Sequence, residues 1–241
     1  MPSTGVSHRR RYRRLGSFLG VFDGLDDYVV SSSSAVASPF TAGEWTVGGT
    51  LRITNLIGIP KSMFGSGNEQ SNSNFVTFFI VASANLTGFF QVNQVGTSTG
   101  NLIVNTAPIT FTENQFVHVA ATHGASGTAI YIDGIPQSIN VVGTQEMKTY
   151  AAGLLDNYTL GALVRTNVVQ PYRGGMRGTK LYPSQLSAVD VAAWSAGAPP
   201  AGALVEWELD EGEGTVVNDS SGNGHTGSAI NIDQSTFWDP A

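Results

Sequence analysis

The chain has 241 residues and a mass of 25.3 kDa; its residues are 41% hydrophobic and only 12% charged, and none is cysteine. This size fits one all-β domain, since such domains often reach roughly 200–250 residues. No run approaches the ~18 consecutive apolar residues of a membrane-spanning helix, so we expect no membrane insertion. The lack of cysteine excludes a disulfide framework, a thiolate metal site and a cysteine nucleophile.

The net charge of −6 hides a basic N-terminal segment on an acidic chain. Five of the 12 Lys and Arg residues precede the first acidic residue, Asp23, so positions 15–241 hold 12 − 5 = 7 basic and 18 acidic side chains. We predict that residues 1–20 form a basic arm for assembly or anchoring. Because the remaining chain is acidic, we expect the arm to bind protein rather than nucleic acid. The arm's predicted assembly residues are Arg9, Arg10, Arg11, Tyr12, Arg13 and Arg14.

Beyond residue 20, short runs rich in Val, Ile, Phe, Tyr and Thr alternate with clusters of Gly, Ser, Asn and Pro. This pattern is typical of an all-β protein whose strands pack in two layers. Predicted loops cover 31–38, 65–74 and 96–100, and Asp133-Gly134 is predicted to close a hairpin. In chain order the predicted strands are 20–22, 28–30, 45–53, 75–82, 88–92, 101–104, 115–122, 128–132, 158–163, 174–181 and 204–209.

One short helix is predicted near residues 187–195. Ser187 and Asp190 form an acidic variant of the capping box ahead of an apolar segment, and Gly197 follows its end. The Ala, Pro and Gly residues of 196–203 then form a linker. Residues 204–241 are too few and too polar to build a core alone, so this C-terminal segment must dock on the sandwich or on a neighbouring copy.

Several segments together resemble the laminin-G-like, concanavalin A-like jelly-roll lectin superfamily. They are FDGLDDYVV at 22–30, the FVHVAAT…AIYIDGIP hairpin at 116–136, YTLGA at 158–162, GGMRGTKLYPSQLSAVDVAAW at 174–194 and WELDEGEGTVVNDSSGNGHTG at 207–227. The resemblance implies a two-sheet antiparallel jelly-roll sandwich over residues 21–241. In that family the last segment commonly comes first, so the order here implies either a circular permutation or a segment that completes a neighbour's sandwich.

Two polar loops are candidates for a calcium site. Asp23, Asp26 and Asp27 lie close together in sequence, and Asp219 and Asn223 lie in a glycine-containing turn that the resemblance places nearby. Calcium takes six to eight oxygen ligands, and some members of the family bind it through equivalent loops. We therefore predict a structural Ca²⁺ held by Asp23, Asp26, Asp219 and Asn223. The alternative is that these side chains only cap turns.

Aromatic and acidic residues suggest two further kinds of site. Phe64 and Tyr172 lie beside predicted loops and could stack on sugars, although ordinary partial burial is the alternative. Glu206, Glu208 and Asp210 would share one face of a strand, as the carboxylates of related glucanases do, but their order differs from the glucanase arrangement. His118 is expected to be a half-buried, hydrogen-bonded structural residue.

The functional prediction is a non-enzymatic phage virion protein: a capsid decoration or cement protein, a spike or a tail-fibre subunit. The basic arm, the low surface charge and the lectin-like fold favour this interpretation. Residues 15–22 are interrupted by Gly16, Ser17 and Gly20, so we expect no signal peptide, synthesis in the host cytoplasm and assembly into the virion. Expected partners are further copies, other virion proteins and a glycan. The alternative is a free lectin that binds sugar through loops 65–74 and 170–175, and a glucanase is a weaker third.

Overall fold

A computed structural model describes residues 18–54, 60–83 and 87–240. Within these ranges the chain forms strands, three short helices and connecting turns. The strands are β1 (Phe18–Asp23), β2 (Tyr28–Ser32), β3 (Trp45–Ile53), β4 (Lys61–Asn68), β5 (Ser71–Ala82), β6 (Thr87–Val95), β7 (Leu102–Thr106), β8 (Ile109–Thr110), β9 (Phe116–Gly124), β10 (Gly127–Ile132), β11 (Ile135–Pro136), β12 (Ile139–Val142), β13 (Asn157–Leu160), β14 (Leu163–Val164), β15 (Val168–Val169), β16 (Arg173–Tyr182), β17 (Val205–Trp207), β18 (Val216–Val217), β19 (Gly227–Ile230) and β20 (Trp238–Pro240).

The strands form two large antiparallel sheets, as the sequence predicted. Sheet A has the order β11-β10-β9-β3-β16-β1-β20, with β17 also paired to β16. Sheet B has the order β12-β7-β6-β5-β4-β13-β2-β19-β18, with β8 paired to β6. One continuous core fills the space between them, because alternate residues of each strand point inward. The result is a jelly-roll-like sandwich.

The helices are α1 (Ser34–Ala42), α2 (Ala188–Ser195) and α3 (Gln234–Phe237). Helix α2 confirms the predicted helix, and Ser187 and Asp190 form both bonds of the capping box. It packs on the outer face of sheet A through Val191 and Trp194. No helix in the described part of the chain is long and apolar enough to cross a membrane.

Two predicted loops are regular structure. Residues 31–38 were predicted as a loop, but α1 begins at Ser34, with the Ser33 side chain accepting a hydrogen bond from the Val36 N–H and Gly43 ending the helix at φ 82°. Residues 65–74 were also predicted as a loop, but they lie in the β4–β5 hairpin. The predicted turn at Asp133-Gly134 is present, with φ of 48° and 76° at the two residues.

The C-terminal segment pairs with its own chain in this structure. Strand β17 lies beside β16, β19 beside β2, and β20 beside β1. Trp207 is fully buried, stacks on Tyr158 at 5.2 Å and donates from its indole N–H to the His225 carbonyl. Both sheets therefore receive strands from the last 38 residues. The predicted arm, residues 1–20, is too long at its end, because β1 begins at Phe18 and Leu19 is buried. Residues 1–17, with the predicted assembly residues, lie outside the described residues.

Candidate functional site

Three carboxylates meet in the turn between β1 and β2. Asp23, Asp26 and Asp27 each offer an oxygen within 4.8 Å of the others. The turn is held by the Leu25 N–H, which donates to Asp23, and by the Asp23 N–H, which donates to Asp27 at 2.9 Å. Such a set of oxygens is suited to a hard cation such as Ca²⁺. The structure thus brings predicted ligands Asp23 and Asp26 together and adds Asp27, which lay in the same motif but outside the predicted ligand set.

Asp27 is the buried member of this acidic turn. Burial raises the pKa of its carboxyl from 3.8 to about 6, with a further contribution from the negative charges of Asp23 and Asp26. The hydrogen bond from the Asp23 N–H opposes this shift only in part. A bound cation would stabilise the ionised form of all three carboxylates.

The other two predicted ligands lie elsewhere. Asp219 is absent from the group of carboxylates within 4.8 Å of one another, and β19 separates its turn from the acidic turn. Its carboxylate accepts the N–H groups of Glu206, Ser221 and His225. The Asn223 amide donates to the carbonyls at 203 and 204. The prediction of one site with all four ligands is therefore wrong, because Asp219 and Asn223 secure the backbone of a different turn.

A groove of about 370 Å³ lies on the outer face of sheet B. Its floor is formed by outward-facing residues of β2 and β19, and its walls by the β4–β5 turn and the β14–β15 hairpin. Three chemically distinct side chains line it: Tyr28 from β2, Glu69 from the β4–β5 turn and Arg165 from the hairpin. This volume falls within the usual range of small-molecule sites, roughly 300–1,000 Å³.

Contacts with the surrounding structure hold the charged groups of the groove in position. The Arg165 guanidinium lies 4.8 Å from the centre of the Phe75 ring and donates to the Asn72 carbonyl at 2.8 Å. Glu69 accepts a hydrogen bond of 2.7 Å from the Ser32 hydroxyl. Burial raises the pKa of the Tyr28 phenol, and Glu69 adds to the shift, so the phenol stays a hydrogen-bond donor at neutral pH.

The two aromatic residues predicted to contact sugar are buried. Phe64 is 1% exposed and stacks on Phe78, because it lies within β4 and faces the core. Tyr172 is 0% exposed, packs edge-on against Phe22 and donates to the Arg52 carbonyl. The prediction that these rings are exposed for stacking is therefore wrong. Part of the predicted lectin loop 65–74 does line the groove, through Glu69.

Two of the three carboxylates considered for glucanase chemistry form ion pairs with one lysine. Lys180 Nζ lies 3.1 Å from Glu206 and 3.3 Å from Glu208. Strand β17 ends at Trp207, and Leu209 adopts a left-handed φ of 57°, so the predicted extended strand does not reach Asp210. This arrangement is an ion-pair cluster that joins β16 to β17.

His118 differs from its expected structural role in one respect. It is 8% exposed, and neither ring nitrogen has a hydrogen-bond partner among the described residues. Its ring lies edge-on to Trp194 of α2, with ring centres 4.8 Å apart. Burial lowers the pKa of His118 to about 4, although nearby Asp133 opposes the shift. The imidazole is therefore neutral at physiological pH.

Comparison with solved structures finds chains with a similar fold. A native heptameric SAP-like pentraxin from Limulus polyphemus shares 14% identity and a TM-score of 0.60, covering 86% of this chain and 94% of the pentraxin chain. The CBM40 of the Ruminococcus gnavus IT-sialidase shares 14% identity and a TM-score of 0.57, covering 76% and 97%. A leech intramolecular trans-sialidase shares 16% identity and a TM-score of 0.57, covering 83% of this chain and 31% of its own.

At these identities the structural likeness establishes the fold alone. A search of curated proteins found no match for the sequence. The family profile described as the concanavalin A-like lectin/glucanases superfamily, Laminin_G_3, matches residues 23–192. That match covers more than half of the sequence and includes the acidic turn, the groove's β4–β5 and β14–β15 walls, and most of α2. The chain therefore belongs to the Laminin_G_3 family of the concanavalin A-like lectin/glucanases superfamily.

Proposed function

We propose that this protein is a non-enzymatic, lectin-like carbohydrate-binding protein whose ligand lies in the groove on sheet B. The observation that carries the proposal is the convergence of Tyr28, Glu69 and Arg165 from three separate elements. A sugar presents vicinal hydroxyls that both donate and accept hydrogen bonds, together with an apolar ring face. The Glu69 carboxylate can accept hydrogen bonds from such hydroxyls, the Arg165 guanidinium can donate to them, and the Tyr28 ring can pack against the apolar face.

Arg165 is the proposed principal contact. Its stacking on Phe75 and its bond to the Asn72 carbonyl fix the plane of the guanidinium, so less side-chain freedom is lost when a ligand binds. The CBM40 relative was also solved bound to α2,3-sialyllactose, and this supports a glycan as the ligand class here. The guanidinium and the neutral phenol would favour a strongly polar substituent, whereas the Glu69 carboxylate in the same groove disfavours a negative charge close to it.

A glycan array followed by calorimetric titration with the best glycan tests this function. Arg165→Ala should weaken binding at least about tenfold, as expected when a charge-assisted hydrogen bond of roughly 1.5–3 kcal/mol is lost. Arg177→Ala is the matched control, because Arg177 also lies 4.8 Å from an aromatic ring centre, that of Phe116, but on sheet A. No glycan bound by the wild type, or equal losses in both variants, would contradict the proposal.

The proposed lack of enzymatic activity is supported by the ion-pair cluster at Lys180. Glu206 and Glu208 both contact this lysine, whereas a retaining glycosidase places two carboxyl groups on either side of a bound sugar. We expect no release of reducing sugar from any glycan that the protein binds. Hydrolysis that is abolished by Glu208→Gln but not by Asp210→Asn would overturn this part of the proposal.

A structural Ca²⁺ is proposed at the acidic turn, with Asp23, Asp26 and Asp27 as its carboxylate ligands. The proximity of the three carboxylates and the raised pKa of Asp27 support it. Backbone carbonyls of the turn and water would have to supply the remaining oxygens. Calcium should raise the thermal midpoint of the wild type, and no shift in excess Ca²⁺ over EDTA would rule the site out.

Assembly into a phage virion, as a decoration, spike or fibre subunit, is the second candidate role. Its support is the segregation of charge in the sequence, with five arginines before residue 15 and 18 acidic residues after it. Charges of opposite sign on two parts of one chain favour contact between copies or with other virion proteins. Deleting residues 1–17, which leaves β1 intact, should abolish any salt-sensitive assembly while glycan binding persists. Assembly that survives the deletion would remove the arm from this role.

A further inference from the structure

In the described part of the chain the strand orders of the two sheets end in four edge strands, with β8 and β17 pairing off these orders, and three of the four carry features that discourage pairing with another strand. Strand β11 has two residues, one of them Pro136, and β20 contains Asp239 and Pro240. Strand β18 also has two residues, and the Glu211 carboxylate accepts the N–H of the residue that follows it. Short length, proline and charge are the usual protections of a sheet edge.

Strand β12 forms the fourth edge and has none of these protections. It is Ile-Asn-Val-Val over residues 139–142, without charge or proline. The surrounding segment 134–145 holds no charged residue, although 30 of the 241 residues of the chain are charged. Ile139 and Val141 pack against the core, while Asn140 and Val142 face outward and Val142 is 58% exposed.

The hydrogen bonds of β12 show which of its backbone groups are directed outward. The Ser138 carbonyl accepts the Ala107 N–H at 3.1 Å, in the same register that pairs Asn140 with Asn105. In an antiparallel pair, the N–H and C=O groups of alternate residues point to the same side. Residues 138, 140 and 142 therefore bond toward β7, and the backbone groups of Ile139 and Val141 point away from the sheet.

We propose that β12 pairs antiparallel with β12 of a second copy, about a two-fold axis at Asn140. In this register Ile139 lies opposite Val141 of the second copy, and each such pair exchanges two hydrogen bonds. The two equivalent pairs give about four bonds and satisfy the outward groups of both strands. Side chains keep their faces: Ile139 and Val141 continue the core side, and Asn140 lies opposite itself on the outer side.

The absence of charged residues at this edge makes a second copy of the chain a suitable partner. A two-fold interface places each residue near its own equivalent, so a charged patch would repel itself. The chain carries a net charge of −6, and the uncharged segment 134–145 lets two acidic copies approach without like-charge contacts. The interface is independent of the groove, which lies toward the opposite end of sheet B.

Cysteine crosslinking of the full-length protein tests the register, because the natural chain has no cysteine. Asn140→Cys places the two thiols in a non-hydrogen-bonded pair with Cα atoms about 4.5 Å apart, close enough for a disulfide. Val142→Cys is the control on the same strand and face: the register separates its two copies by four residues, about 13 Å. We expect oxidation to give a reducible dimer for the first variant and monomer for the second. Equal crosslinking, or crosslinking only through position 142, would overturn the register.

Sedimentation of proteins without added cysteine provides a second test. Val141→Pro removes an N–H that points away from β7 and is not used in the β12–β7 pairing, so the fold should persist while dimers are lost. The thermal midpoint and circular dichroism spectrum verify that the variant is folded. A wild type that stays monomeric at all concentrations, or a folded Val141→Pro protein that dimerises as the wild type does, would refute the proposal.

Discussion

Replacing His118 by phenylalanine tests whether a buried, unpaired imidazole destabilises this sandwich in acid. Phenylalanine keeps a flat ring against Trp194 and removes two nitrogens that have no hydrogen-bond partner among the described residues. No partner is therefore left unsatisfied by the change. We expect the variant to be at least as stable as the wild type at pH 7, with a gain of up to about 1 kcal/mol from the avoided burial of polar nitrogens.

The magnitude of the pH effect follows from the pKa of His118, which burial lowers from 6.5 to about 4. Between these values the unfolded chain binds a proton that the folded protein does not, so stability falls as pH falls through this window. From pH 7 to pH 5 the loss is about 2 kcal/mol, at 1.36 kcal/mol per pKa unit. His123 adds a similar loss, because burial and the Lys148 charge also lower its pKa to about 4. Asp27 acts in the opposite direction, since its pKa is raised to about 6.

Urea unfolding at pH 7, 6 and 5, followed by tryptophan fluorescence, measures these differences. His118→Phe should remove about 2 kcal/mol of the acid-induced loss, leaving the His123 contribution in place. The difference between variant and wild type isolates His118, because all other titrating groups are common to both. Parallel pH profiles for the two proteins, or a variant less stable than the wild type by 2 kcal/mol or more at pH 7, would show that the imidazole is not buried and neutral as described.

Three further substitutions test other parts of the structure. Asp27→Asn should raise stability in EDTA at pH 7 by about 1–2 kcal/mol by removing a buried charge, and it should abolish the calcium-dependent rise in thermal midpoint; a lower midpoint in EDTA would contradict this. Ser187→Ala removes the N-cap of α2 and should cost about 1 kcal/mol in urea unfolding, whereas no change would mean that the cap is dispensable. Trp207→Ala should cost about 3–5 kcal/mol, because it empties a fully buried site and removes the bond to the His225 carbonyl; a loss below about 1 kcal/mol would disagree with that packing.

The strands that the sequence predicted well are long runs rich in β-branched and aromatic residues. Residues 45–53 form β3 with the predicted bounds, and Trp45, Val47, Leu51 and Ile53 all lie in the core. Residues 75–82 were predicted as a strand and lie in β5, but β4 was missed because its polar residues are buried by tertiary contacts: Ser62 and Thr77 hydrogen-bond each other, and Ser66 donates to the Asn157 carbonyl. Helix α1 begins in a run of serines that is typical of a linker, although Ser33 and Gly43 are proper helix caps.

The candidate sites also differ in how far the sequence could predict them. Asp23, Asp26 and Asp27 are neighbours in sequence, so their motif was enough to find the acidic turn. The groove could not be found like this, because Tyr28 and Arg165 are far apart in the chain and meet only when the β14–β15 hairpin folds over sheet B. Phe64 and Tyr172 were misplaced because the sequence does not show which face of a strand, or which side of a loop, is covered by the second sheet.

The pairing of early strands with late ones has a consequence for synthesis on the ribosome. Strands β1 and β2 are made first in the described chain, yet β1 lies between β16 and β20, and β2 lies between β13 and β19. From the end of β2 at residue 32 to the end of β20 at residue 240 is 240 − 32 = 208 residues. At translation rates of roughly 5–20 residues per second, the nascent strands wait about 10 to 40 s for their complete sheets. Both sheets can therefore be completed only after β20 has left the ribosome, and the emerging chain is a natural client for chaperones that shield unpaired strands.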